Sequence, residues 1–232
     1  MGYAAEMLAR DVMTTQVVTV EPETPVEEIA RTLLNSRISG VPVLDRDGAL
    51  VGIVSEGDLM RRAALGGKQQ GSLLAALFSH DPQPGNAVAG AVTAQDVMTR
   101  TVKTIDEDTP LVGIAVILEK RGIKRVPVTR NGVLVGIVSR ANLLHGLAAS
   151  SFTQSKVRDD RRVRSAILER LQTELGIDDR FVNVTVSRGI VHLWGAVKTE
   201  AHLESAREIA EKTSGVRTVH DHLGLLIPEL SP

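Results

Sequence analysis

The chain contains no cysteine. Disulfides, thiolate metal sites and cysteine nucleophiles are therefore excluded. Aromatic residues are almost as scarce, at 2% with one Trp, one Tyr and three Phe. A platform for single-stranded nucleic acid stacks bases on several rings, which this composition does not supply. Charge of one sign is missing too. The 27 Lys and Arg against 28 Asp and Glu leave a formal net charge of -1, so no nucleic-acid partner is advertised. The longest apolar run, "LLAALF" from Leu73 to Phe78, is far too short to cross a bilayer. The opening "MGYAAEMLARDVM" has an early acid and no apolar stretch, unlike a secretory signal, and lacks the sixth-position Ser or Thr of a myristoylation site. A soluble, cytoplasmic protein is expected. No G-x-S-x-G, P-loop or G-x-G-x-x-G string occurs, so no catalytic residue is assigned and an enzyme is not expected. What the chain does have is Val, Leu, Ile and Ala, enough at 43% hydrophobic residues to fill ordinary cores.

It also says one thing twice. "DVMTTQVVTVEPETPVEEIARTLLNSRISGVPVLDRDGALVGIVSEGDL" begins at Asp11, and "DVMTRTVKTIDEDTPLVGIAVILEKRGIKRVPVTRNGVLVGIVSRANL" begins at Asp96. The copies align with one deletion before Gly132. Each has a short extended stretch (Val17 to Val20, Val102 to Ile105). A helix-start signal follows, Thr24-Pro25 or Thr109-Pro110, with threonine as cap and proline in the first helical turn. Then come a β-rich "GVPVL" or "RVPVT", a Gly-containing turn, the strand "LVGIV", and a second helix after Ser55 or Ser139. Three places beyond that serine, Asp58 becomes Asn142. The parse gives a first repeat over 1–63, a loop over 64–93 with one helical turn at Leu73 to Phe78, and a second repeat over 94–150. Loops that long are functional or mobile.

A different pattern fills 157–228. "DDRRVRSAILERLQTEL" places Val163, Ile167, Leu168 and Leu171 on one helical side. "FVNVTV" and "IVHLWG" read as a hairpin turning at Gly189. "TEAHLESAREIAEKTSG" is a helix capped near Thr199 and ended by Gly215, and "VRTVHDHLGLLI" is a closing strand. The order αββαβ is a small α+β domain.

The duplicated "DVMT…TP…VPV…LVGIVS" unit resembles a pair of CBS domains, the tandem arrangement called a Bateman module. The tail, with "RGIVHLWGAV" and "SGVRTVHDHL", resembles a BON domain. The resemblance implies an α+β protein in which two βαββα units pack about a pseudo-two-fold axis, with an αββαβ domain appended. It also implies two clefts for adenosine-containing ligands such as AMP, ADP, ATP or S-adenosylmethionine, and a homodimer formed through the CBS pair. The adenine nucleotide would be a regulatory ligand, and no cofactor is required.

The chemistry suits that role. A helix starting after "GIVS" offers free N–H groups and its positive end to phosphate. A carboxylate three residues into it can accept both ribose hydroxyls. By family pattern, one cleft combines Ser55 and Asp58 with Val102, Thr104, Ile123, Lys124, Arg125, Val126 and Pro127. The other combines Ser139 and Asn142 with Val18, Thr19, Ile38, Ser39, Gly40, Val41 and Pro42. The Asp58 cleft is expected to bind a phosphorylated ligand more tightly, since an asparagine lacks charge assistance, a loss of about 1 kcal/mol or more. Arg140 tempers the difference.

Plainer readings stand beside these. Ser-x-x-Asp is also an ordinary capping box, and Lys124-Arg125 is also a solvated pair. "HDH" at His220 to His222 is half of a metal site without its other ligands, so no metal is assigned. Trp194 either anchors the tail to a membrane or partner, or fills a core. A different function is an adaptor with empty clefts, its BON domain meeting membrane lipid or an envelope partner.

Overall fold

The computed structural model describes residues 7–65, 92–150 and 157–226. The turn expected at Leu73 to Phe78 falls outside them. Two compact units emerge, and they cut across the order of the chain. One holds residues up to Val17, Thr104–Arg130 and everything from Val135 onward; the other holds Val18–Lys103 and Asn131–Leu134.

The second unit is built on the first repeat. Strands β1 (Gly40–Leu44) and β2 (Leu50–Ser55) pair antiparallel, Gly40 opposite Ser55. Helices α2 (Val26–Asn35), α3 (Glu56–Leu65) and α4 (Ala94–Val97) complete it. Its core gathers Val26, Ile29, Leu33, Val41, Val43, Val54 and Leu59. The first unit begins with α1 (Ala9–Val12) and continues with β3 (Ile105–Asp106), α5 (Leu111–Lys120), β4 (Arg125–Arg130), β5 (Val133–Ser139) and α6 (Arg140–Ser150). The sheet order is β3-β4-β5. The tail follows in the expected order: α7 (Val157–Leu175), β6 (Val182–Ser187), β7 (Ile190–Val197), α8 (Glu200–Glu211) and β8 (Thr218–Leu225). Its three strands form one sheet, and Val163, Ile167 and Leu171 of α7 lie in its core. The architecture is α+β throughout.

The reason "DVMT" and "LVGIV" recur together is that each copy lends its opening to the other. Met98, from the start of the second copy, sits on Gly52 of the first so closely that a Cβ there has no room. Ile53 and Thr99 exchange both backbone hydrogen bonds beside it, at 3.1 and 2.9 Å. Conversely Met13 covers Gly136, whose added Cβ would lie 2.6 Å from the sulfur. Thr14 and Ile137 exchange bonds of 3.0 and 2.9 Å. Glycine is needed at both places for this close approach. The exchange also explains why residues up to Val17 belong with the second repeat.

Local expectations needed adjusting. Pro25 and Pro110 are themselves the N-caps, extended at ψ 144° and 145°, and the helices start one residue later than expected. Thr24 instead accepts a bond of 3.0 Å from the Glu21 N–H. The first extended stretch reduces to one bridge, Val20 with Val43, and the matching one in the second copy to two residues. Helix α8 is capped by Thr199 as read but ends at Glu211, with Lys212 as C-cap. Gly215, at φ 92°, shapes the loop beyond rather than the helix end. The Arg188-Gly189 turn, with φ of 56° and 72°, is the tight hairpin the sequence promised.

Candidate functional site

The helices after "GIVS" begin with reciprocal capping boxes. In the first copy, Asp58 Oδ2 accepts from the Ser55 N–H at 2.9 Å and from Ser55 Oγ at 2.5 Å. Asp58 N–H returns a long bond to Ser55 Oγ at 3.4 Å. Arg61, one turn on, pairs with Asp58 Oδ1, which also faces Thr99 Oγ1 at 3.5 Å. The carboxylate is 8% exposed. In the second copy, Asn142 Oδ1 takes the same two bonds from Ser139, at 2.8 and 2.7 Å. Its Nδ2, however, donates to the Val12 carbonyl at 3.1 Å.

Substitution of aspartate by asparagine therefore follows from local donors. Asp58 has a cation for its second oxygen. Asn142 faces a backbone carbonyl, which a carboxylate oxygen would repel, and the residue six places after the serine is His145 in place of Arg61. Asn142→Asp should lower stability by about 1–3 kcal/mol, the cost of setting an unpaired acceptor against a buried one. Asp58→Asn should cost under about 1 kcal/mol, because its lost partner Arg61 is largely exposed. Urea midpoints of the two variants measure both.

Around these boxes, each unit assembles parts assigned to different clefts. Beside Ser55 runs β1, with Gly40, Val41 and Pro42, and the Glu56 N–H donates to the Ser39 carbonyl at 3.1 Å. Beside Ser139 lies β4, and the Arg140 N–H donates to the Lys124 carbonyl at 3.1 Å. Lys124 is exposed and Arg125 half-buried, while Val126 and Pro127 are buried. Ile38 and Ile123 pack partly against the cores of their own units. Val18 and Val102 are half-buried and Thr19 exposed in one unit; Thr104 is half-buried in the other.

The tail is part of the first unit, and its sheet is buried on both faces of β6: Val182 and Val184 toward α7 and α8, Asn183 and Thr185 on the reverse. Helices α1 and α6 pack on β6. At their contact Arg164 of α7, 6% exposed, donates from Nε to the Val184 carbonyl at 2.7 Å and from Nη2 to the Met13 carbonyl at 2.9 Å. Burial pulls its pKa below the ordinary arginine value, opposed by Asp179 and Asp11. Arg161 grips Asp11 through Nε at 2.6 Å and Nη2 at 3.2 Å. Asp179, just past α7, accepts from the Thr15 N–H and Oγ1 at 2.6 Å each, and from the Gln16 N–H at 3.1 Å. From α6, His145 stacks on Trp194 at 4.9 Å and meets Asn183 Nδ2 at 3.2 Å.

These contacts revise the reading of Trp194 and the histidines. Trp194 is half-buried, stacked on His222 at 3.9 Å with its Nε1–H donated to Thr185 Oγ1 at 3.2 Å. His192 pairs in register with His220, and its Nδ1 lies 3.1 Å from His222 Nε2. The rings stack rather than converge, and no group of three His, Asp or Glu among the described residues is arranged to hold a metal ion. Burial first, then His220 and His222, push His192 down to about 4. Burial lowers His145 as well, with His222 adding to it. Sequence reasoning missed Arg164, Arg161 and Asp179. The one available hint was that Arg164 adjoins Val163 of the apolar stripe, where a charge must find partners if buried.

Comparison with known proteins agrees with this architecture. The CBS domain model matches residues 9–65 and 94–149, and the BON domain model matches 159–225. The chain is 31% identical over 154 residues to an uncharacterized protein of Methanocaldococcus jannaschii, covering 61% of this chain and 91% of that one. It is 34% identical over 134 residues to the chloroplastic CBS domain-containing protein CBSX1 of Arabidopsis thaliana, covering 54% and 56%. Among solved structures, CBSX2 in complex with AMP is similar at 25% identity and a TM-score of 0.50, over 62% of this chain and 98% of that one. Among the described residues no helix is long and apolar enough to cross a membrane. The chain belongs to the CBS-domain family, as a CBS pair followed by a C-terminal BON domain.

Proposed function

We propose that this is a non-enzymatic, cytoplasmic regulator whose CBS pair binds an adenine nucleotide and signals to its BON domain. The observation that carries the reading is the duplicated helix start: a serine hydroxyl at the positive end of a helix, with a buried Asp58 or Asn142 three residues on. The similar CBSX2, solved with AMP, supports an adenylate in this frame. In the Asp58 cleft we assign ribose to Ser55 and Asp58, phosphate to Lys124 and Arg125, and the remaining wall to Val102, Thr104, Ile123, Val126 and Pro127. To the weaker cleft we assign Ser139 and Asn142 together with Val18, Thr19, Ile38, Ser39, Gly40, Val41 and Pro42. To take ribose, Asp58 must exchange Arg61 for a hydroxyl, which the exposed arginine permits at little cost. A homodimer belongs to the same reading. Val112 and Val116 of α5 and Leu144 of α6 support it, being 65%, 45% and 65% exposed.

Calorimetric titration with AMP tests it. Two unequal sites are expected, with Asp58→Ala weakening the tighter one about tenfold or more, the loss of one charge-assisted hydrogen bond. Asn142→Ala should affect only the weaker site. Equal losses, or a larger loss at Asn142, would invert the ranking of clefts. No binding by AMP, ADP, ATP, NAD or S-adenosylmethionine, with liposome co-sedimentation through the tail, would replace the sensor with an adaptor.

A further inference from the structure

The BON domain does not merely follow the second CBS repeat; it holds the segment on which Asn142 is hung. Residues 11–16 carry four consecutive ties. Asn142 Nδ2 binds the Val12 carbonyl, and Arg164 binds the next carbonyl, Met13. Arg161 secures Asp11 on one side, and Asp179 secures Thr15 and Gln16 on the other. The same chain then runs through Val17 into Val18 and Thr19, assigned to the Asn142 cleft. A second route reaches that asparagine along α6, where His145 lies one helical turn beyond it and stacks on Trp194. Both routes come from the tail, and both end at one amide.

We propose that the BON domain is the built-in reader of the Asn142 cleft. This rests on the nucleotide-binding reading above. With the tail docked, Val12 fixes which way the Asn142 amide points, so that Oδ1 faces Ser139 and a ribose hydroxyl can take the place of the Ser139 hydroxyl on it. With the tail released, residues 11–16 lose Arg161, Arg164 and Asp179, and the amide loses its fixed carbonyl. Ligand affinity for that cleft and tail docking are then linked, and by reciprocity each strengthens the other by the same factor. The Asp58 cleft has another local support for its carboxylate, Arg61.

The chain supplies its own probe, since Trp194 is the sole tryptophan and sits at the docked contact. In the full chain, AMP should change Trp194 emission in Asp58→Ala, which retains the Asn142 cleft, and should leave it unchanged in Asn142→Ala. Asp179→Asn, which removes the charge but keeps the shape, should weaken AMP at the Asn142 cleft about fivefold or more by calorimetry, within the range of ordinary coupling. His145→Ala attacks the same contact from α6 and serves if Asp179→Asn does not fold. The inference is overturned if these variants shift the affinity less than fivefold or tighten it. It is overturned equally if AMP binds by calorimetry while Trp194 emission stays constant or follows the Asp58 cleft. In those cases nucleotide binding itself survives. A native chain that binds none of AMP, ADP, ATP, NAD and S-adenosylmethionine overturns both.

Discussion

Replacing Arg164 with methionine should remove about 3 kcal/mol or more from the stability of the unit that contains it. Methionine keeps the apolar stem and deletes the guanidinium. Two opposing effects follow. Removing a fully desolvated cation recovers its burial penalty, and a complete apolar replacement of a buried polar cluster is often neutral. Here the replacement is one-sided. The carbonyls of Val184 and Met13 lose a donor, and the buried Asp179 and Asp11, 6% and 7% exposed, lose a neighbouring positive charge. Breaking one side of such an arrangement typically costs about 3–5 kcal/mol. Arg161→Ala is the contrast: its bond to Asp11 is partly solvated at 31% exposure, so about 1 kcal/mol is expected. Urea denaturation compares them through their midpoints at equal slope. A loss below about 1 kcal/mol for Arg164→Met would show that relief of desolvation cancels the missing hydrogen bonds.

Acid should produce the next largest effect. His192 is 7% exposed and sits near pKa 4 in the fold, against an ordinary value of 6.5. Between those values the unfolded chain binds the proton and the folded one does not, so stability rises with pH. The contribution is intact above pH 6.5 and disappears as pH falls through 4. The loss amounts to about 1.4 kcal/mol by pH 5.5 and at most about 3.4 kcal/mol in full. His145, lowered by its burial under the BON sheet, adds a loss of the same sign. Carboxylates titrate in the lower half of this window as well, so the informative quantity is the difference between the native chain and His192→Gln. The variant should show a flatter fall in denaturation midpoint from pH 7 to 4.5. Parallel curves would mean that His192 is protonated in the folded protein at ordinary pKa.

How much of this could be read beforehand differs by element. The repeat, its strands and second helices, and the αββαβ tail were legible because each rests on local signals: period, turn glycines and serine or threonine caps. The first strands and the proline caps were misjudged by a residue or more, since an isolated bridge and an N-cap proline look locally like a strand and a first-turn proline. The Ser-x-x-Asx boxes were legible as caps. The structure shows the caps formed.

By itself the sequence determined that two like units and one unlike unit exist, and where their helices start. It could not determine who packs with whom. That "DVMT" serves the opposite copy, that Asn142 must be an amide because Val12 presents a carbonyl, and that an arginine beside an apolar stripe pins the tail to Met13 are all contacts between residues far apart in the chain. Such contacts leave no period and no fixed spacing. They are chosen when the cores close, because burial forces every donor and acceptor trapped there to find a partner wherever the chain happens to supply one.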